Sequence, residues 1–189
     1  IIQAFIKENN IQSFSVLGYS MGGKFALATL EGFPTQVKEI FLLAPDGIKI
    51  SPWYWLATYP SITRSLFKSM IMKPERYQFI ANTAFKVGLI DKGILRFTET
   101  QMNTEEKRKQ VYFSWIVFRH LKFSLQRIAD LINSNNIQVT AVAGRHDKIM
   151  KPSHMKRLLN RLNTSSFEIL EVGHNGLIRK WIETRKAST

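Results

Sequence analysis

The sequence has no cysteine, which excludes disulfides, thiolate zinc sites and a cysteine nucleophile. Acidic residues are also scarce: 14 Asp and Glu stand against 27 Lys and Arg, a net charge of +13. No apolar run approaches the roughly 18 residues that a membrane span requires. The chain is neither low-complexity nor internally repetitive. What remains is 189 residues, 44% of them hydrophobic, enough for one domain that buries roughly 70% of its unfolded surface.

The missing acid is unevenly spread. Residues 47–135 carry 14 Lys and Arg against 6 Asp and Glu, a net of +8, and the remainder carries 13 against 8, a net of +5. Such an excess draws anionic lipid surfaces, acidic substrates or nucleic acid, or simply keeps a protein soluble. No nucleic-acid-binding motif accompanies it, so nucleic acid is not expected as a partner, whereas an anionic membrane surface remains one.

The most informative stretch is residues 13–24, Ser-Phe-Ser-Val-Leu-Gly-Tyr-Ser-Met-Gly-Gly-Lys. Phe14, Val16 and Leu17 favour a strand, and Lys24 to Leu30 is made of good helix formers. Ser20 falls at the corner between them. A turn this tight strains the serine backbone, and Gly18 and Gly22, two before and two after it, are expected to lack side chains because these would collide with the crossing chain. The corner exposes the hydroxyl and points the start of the helix, with the Met21 N–H, at negative charge developing beside it. With Gly near 7% of residues and Ser taken as roughly as common, a chance Gly-x-Ser-x-Gly is expected about 0.06 times in such a chain, and the strand and helix around it make chance a poorer account still.

In this context the string GYSMGG resembles the nucleophile elbow of the α/β-hydrolase fold family, in its esterase, lipase and acyl-hydrolase branches. The resemblance implies an α/β architecture: a parallel sheet flanked by helices, with a helical cap inserted between two strands. Strands are expected over 13–18, 37–44, 137–143 and 166–172, with helices over 1–8, 22–31, 152–162 and 176–185. From 48 to 136 the pattern turns helical, with helices near 53–68, 74–86, 104–118 and 121–132. This segment contains Trp53, Trp55 and Trp115. The core is therefore assigned to 1–47 and 137–189, and the cap to 48–136. The family's sheet has more than four strands, so the resemblance implies further strands ahead of Ile1, where the chain opens inside an expected helix, and the strand over 14–17 is expected to be an inner one.

A serine hydroxyl needs a base within hydrogen-bond reach and an acid to orient that base. Of the four histidines, His174 follows the last expected strand, at the sheet edge where the elbow lies and in the chain order serine, acid, histidine. His120 falls within the cap, His154 on a basic helix where exposure is expected, and His146 beside Asp147, from which its side chain should diverge. Two acids compete. Asp147, in Gly144-Arg145-His146-Asp147, matches the family's usual placement; Asp46, in Ala44-Pro45-Asp46-Gly47, is the alternative, unless it serves only the Pro-Asp-Gly turn.

By resemblance, Ser20, His174 and Asp147 would form the catalytic set, with Met21 N–H as one oxyanion donor and the second donor on a loop ahead of Ile1. A small-molecule acyl substrate is expected, a hydrophobic carboxylic ester in first place, with no cofactor and no metal. Amide, thioester or carbon–carbon cleavage would use the same residues. The alternative is a ligand-binding or membrane-associating protein on the same scaffold.

Overall fold

Strands buried on both faces need largely apolar runs, and residues 40–43 and, with Thr140 among them, 139–143 are of this kind. In the computed structural model, which describes residues 1–49, 52–90 and 92–186, both runs lie within the two central strands of a parallel sheet. The elements in chain order are α1 (Ile2–Glu8), β1 (Phe14–Tyr19), α2 (Gly22–Gly32) and β2 (Val37–Leu43). Five helices follow: α3 (Pro52–Thr58), α4 (Ser61–Met72), α5 (Pro74–Lys86), α6 (Lys92–Met102) and α7 (Glu105–Val117). The chain then returns through α8 (Leu125–Ser134), β3 (Gln138–Gly144), α9 (Pro152–Leu159), β4 (Ser166–Leu170) and α10 (Leu177–Lys186).

Two compact units result, Ile1–Lys49 with Leu121–Thr189, and Ile50–His120. In the first, the strand order is β1-β2-β3-β4 and every pairing is parallel. Alternation along β2 sends Ile40 and Leu42 to one face, into a core with Leu27 and Leu30 of α2, Ile128 and Ile132 of α8, and Met155 and Leu158 of α9. Phe41 and Leu43 face the other way, toward Val142, Leu177 and Trp181. Among the described strands β1 is an edge strand, and its Leu17 is 53% exposed. α1 buries none of its residues.

The second unit is helical, built around Phe67, Ile71, Tyr77, Ala81 and Met102. Arg108 is buried within it. Its guanidinium donates to the Ile71 carbonyl at 2.9 Å and to the Met102 carbonyl at 3.2 Å, which gives the charge polar partners away from water. Thr104 caps α7, its hydroxyl accepting from Lys107 N.

Three differences from the sequence expectations have physical causes. A single helix near 53–68 is instead two, because Pro60 has no N–H to give and disfavours helical geometry at Tyr59. α6 was not foreseen; it follows Gly88, at φ 74°, and opens on Lys92-Gly93, a weak helix signal. α8, counted with the cap, packs its apolar stripe into the sheet core, so the first unit resumes at Leu121. The side chain of Trp53 lies outside the described residues.

Candidate active site

The turn after β1 is built by the backbone. Ser20 adopts φ 51°, in the left-handed region that a side chain makes costly. Its N–H donates to the Leu43 carbonyl at 3.0 Å, and its carbonyl accepts from Gly23 N at 2.9 Å and Asp46 N at 2.7 Å. Three neighbours thus hold the strained residue. Met21 follows with helical φ −58° and ψ −27° as the N-cap of α2, so its amide stands at the helix start, where no preceding turn supplies an acceptor.

The glycines divide differently from expectation. A Cβ on Gly18 would meet the Gly22 carbonyl oxygen at 2.7 Å and the Ala26 Cβ at 2.8 Å, so its lack of a side chain is required. A Cβ on Gly22 would meet nothing within 4 Å, which corrects its assignment as the second crowded glycine. That position is Gly23, where a Cβ would strike Pro45 and come 2.7 Å from the Asp46 carbonyl oxygen. The crossing chain after β2 passes one residue further along α2 than the symmetric Gly-x-Ser-x-Gly pattern suggests.

Ser20 Oγ lies 2.9 Å from His174 Nε2, and His174 Nδ1 lies 2.6 Å from Asp147 Oδ2. A carboxylate can only accept, so the Nδ1–H donates to Asp147, leaving Nε2 to accept from the serine hydroxyl. Asp147 is 2% exposed and His174 8%. The other carboxylate oxygen accepts from Ile149 N and Met150 N, both at 2.8 Å, which fixes the carboxylate's orientation. His174 begins a short 3-10 turn, His174–Gly176, that leads into α10.

Asp46 is occupied elsewhere. Its Oδ2 pairs with Lys24 Nζ at 3.2 Å, and its Oδ1 accepts from Gly47 N at 2.7 Å. Of the two acids, the fold brings Asp147 to His174. The other histidines lie apart from Ser20 in their contacts. His146 is exposed and 3.3 Å from Glu171 Oε2; His120 is exposed at the end of the 118–120 turn. His154, expected on an exposed face, is half-buried against Lys49.

A family model described as alpha/beta hydrolase fold matches residues 1–180. The chain belongs to the α/β-hydrolase fold family. No curated protein matches its sequence. Among solved structures it is similar to an esterase from Thermogutta terrifontis, with a TM-score of 0.60 and 16% identity over 97% of this chain and 70% of that one. It is also similar to a meta-cleavage product hydrolase from Pseudomonas fluorescens, with a TM-score of 0.55 and 17% identity over 99% and 67% of the two chains. A hydrolase from Pseudomonas aeruginosa gives a TM-score of 0.63 and 14% identity over 99% and 67%. At these identities the likeness is one of fold.

Within this hydrolase fold two residues were not singled out from the sequence. Tyr19 stacks on the His174 ring, centroids 5.2 Å apart at 28°, and its hydroxyl donates to the His174 carbonyl at 2.8 Å. Burial, and then the charge of Asp147, raise the Tyr19 pKa, so it stays a donor. Lys24 is 3% exposed and ties the start of α2 to the chain after β2. Neither carries a sequence signal beyond its closeness to Ser20, because each acts through a partner distant in the chain.

Proposed function

We propose that this protein is a serine hydrolase that cleaves a carboxylic ester through an acyl-enzyme. Ser20 Oγ attacks the ester carbonyl carbon while His174 Nε2 takes its proton. The resulting oxyanion accepts from Met21 N–H. The carbonyl re-forms as the alkoxide leaves with the proton from His174, and water then repeats the sequence to free the acid and Ser20. Asp147 holds the imidazole in the required tautomer and stabilises its charged form. The observation that carries this reading is the unbroken chain from Ser20 Oγ through His174 to Asp147, at 2.9 and 2.6 Å.

The helical unit is rich in aromatic rings, Tyr54, Phe67, Tyr112 and Trp115 being ring neighbours within it, and on that composition a hydrophobic acyl group is proposed. The test is labelling with a fluorophosphonate, located by mass spectrometry. Adduct at Ser20 is expected in the parent sequence and absent in Ser20→Ala, with labelling reduced by orders of magnitude in His174→Ala. Equal labelling of the parent and His174→Ala would remove the activated serine from the account. A p-nitrophenyl ester series graded by acyl length then separates hydrophobic from short esters.

A second reading concerns the membrane. The helical unit leaves Ile62 83% and Phe79 73% exposed, and it carries 11 Lys and Arg against 5 Asp and Glu, a net of +6. Apolar side chains amid positive charge suit an anionic bilayer surface. Co-sedimentation with phosphatidylserine vesicles is expected at low salt, weakening as salt rises and in Ile62→Asp with Phe79→Asp. Indifference to vesicle charge would leave the basic surface a solubilising one.

A further inference from the structure

A group of cations at the carboxyl edge of the sheet is left over by the chemistry above. Lys49, three residues beyond Asp46, brings its Nζ to 3.3 Å from His154 Nε2, in the first turn of α9. Lys151 is the N-cap of that helix and Arg157 lies one turn on. Among the described residues, none of Lys49, Lys151 and Arg157 takes part in an ion pair, whereas Lys24, Arg127, Arg145, Arg179 and Arg185 each face a carboxylate. The N-terminal end of α9 adds its own positive pole at the same place.

Two further facts mark the cluster as a place for an anion. An ammonium has three donors and an imidazole nitrogen satisfies one. Burial lowers the His154 pKa, and Lys49, Lys151 and Arg157 lower it further, against an opposing pull from Asp147. Burial first, and then these cations, disfavour the charged imidazole, so a negative charge placed among them would be met by Lys49 and would favour proton uptake by His154.

We propose that Lys49 and His154, with Lys151, form an anion site that receives a carboxylate or phosphate group of the substrate. This rests on the hydrolase reading and narrows it: the esters turned over would carry a negative charge in addition to the scissile group. Lys49 follows Asp46 on the chain after β2, and His154, on α9, follows Asp147 on the chain after β3, so the site shares its framework with the candidate active site.

The test pairs p-nitrophenyl valerate with the p-nitrophenyl monoester of glutaric acid, equal in chain length and different only in terminal charge, with the succinic and adipic monoesters bracketing the length. The kcat/KM ratio of anionic to neutral ester is expected to exceed one in the parent. It should fall about tenfold in Lys49→Met and Lys151→Met, mainly through KM, and to be largely kept in Lys49→Arg. Lys38→Met, which removes an exposed cation at the start of β2, is the charge control. The binding arm uses Ser20→Ala protein and follows the His154 imidazole by NMR. Glutarate or methyl phosphate should raise its titration midpoint, and the stronger of the two identifies carboxylate or phosphate as the ligand group. An equal ester ratio in the parent and Lys49→Met, or a His154 titration that neither probe moves, overturns the proposal. If neither ester is turned over while a probe still moves His154, the anion site stands and the hydrolase reading falls.

Discussion

Asp147→Asn is expected to lower kcat on the order of 10⁴-fold, and Asp46→Asn by less than about tenfold, although both remove one negative charge from the same edge of the sheet. The difference lies in what each carboxylate holds. Asp147 accepts from His174 Nδ1 at 2.6 Å. An asparagine there can present its NH₂ to the ring, which moves the ring proton to Nε2 and leaves nothing to accept from Ser20 Oγ. The Ile149 and Met150 amides, both at 2.8 Å, keep an oxygen acceptor in the asparagine, so the loop should survive and the loss should fall on the rate. Asp46 makes no such contact with the histidine; its partner is Lys24 at 3.2 Å, with Lys24 almost fully buried. Removing its charge leaves a buried ammonium less well compensated, which costs about 1–2 kcal/mol once the partial exposure of Asp46 is allowed for. Steady-state kinetics beside thermal unfolding separates these outcomes. An Asp147→Asn variant retaining more than about a tenth of the parent rate would sink the assignment of the acid.

Gly23→Ala is expected to destabilise the protein by about 3 kcal/mol, a fall in Tm of about 6–12 °C, whereas Gly22→Ala should lie between no change and a gain of about 1 kcal/mol. The added methyl at Gly23 would meet Pro45 and the Asp46 carbonyl oxygen, backbone atoms that cannot swing aside as a long side chain can. Those atoms belong to the segment whose Asp46 N–H holds the Ser20 carbonyl at 2.7 Å. Displacing it also disturbs the elbow, so fluorophosphonate labelling should slow along with the loss of stability. At Gly22 the methyl would enter open space at the start of α2, where less freedom in the unfolded chain is the main effect. Differential scanning calorimetry of the two variants is sufficient, and equal Tm values would refute the packing argument.

Much of this protein was legible in the sequence because it is written in short-range patterns. The uninterrupted run of β2, the strand character of β3, the strand–turn–helix around Ser20 and the place of His174 past the last strand follow from periodicity and local chemistry. These give the four parallel strands, their flanking helices and the set of residues brought to one edge. Single prolines and glycines were read less well. Pro60 divides a helix that its apolar spacing would continue, and α6 opens with a glycine in its first turn. α8 shows why a domain boundary is hard to place: its apolar stripe fits any core, and only the packing of Ile128 and Ile132 beneath the sheet puts it in the first unit. Which glycine is crowded was decided by the course of a chain some twenty residues away. The acid was decided in the same manner. Asp46 and Asp147 both follow a strand and both reach the same edge, and the choice between them depends on Lys24, which captures one, and His174, which meets the other. The stacking of Tyr19 on His174 and the meeting of Lys49 with His154 likewise join residues about a hundred or more positions apart. The sequence by itself determined the elements and the chemistry they carry, because those depend on neighbours along the chain. The tertiary structure decided the pairings, because a side chain's partner is set by distance in space.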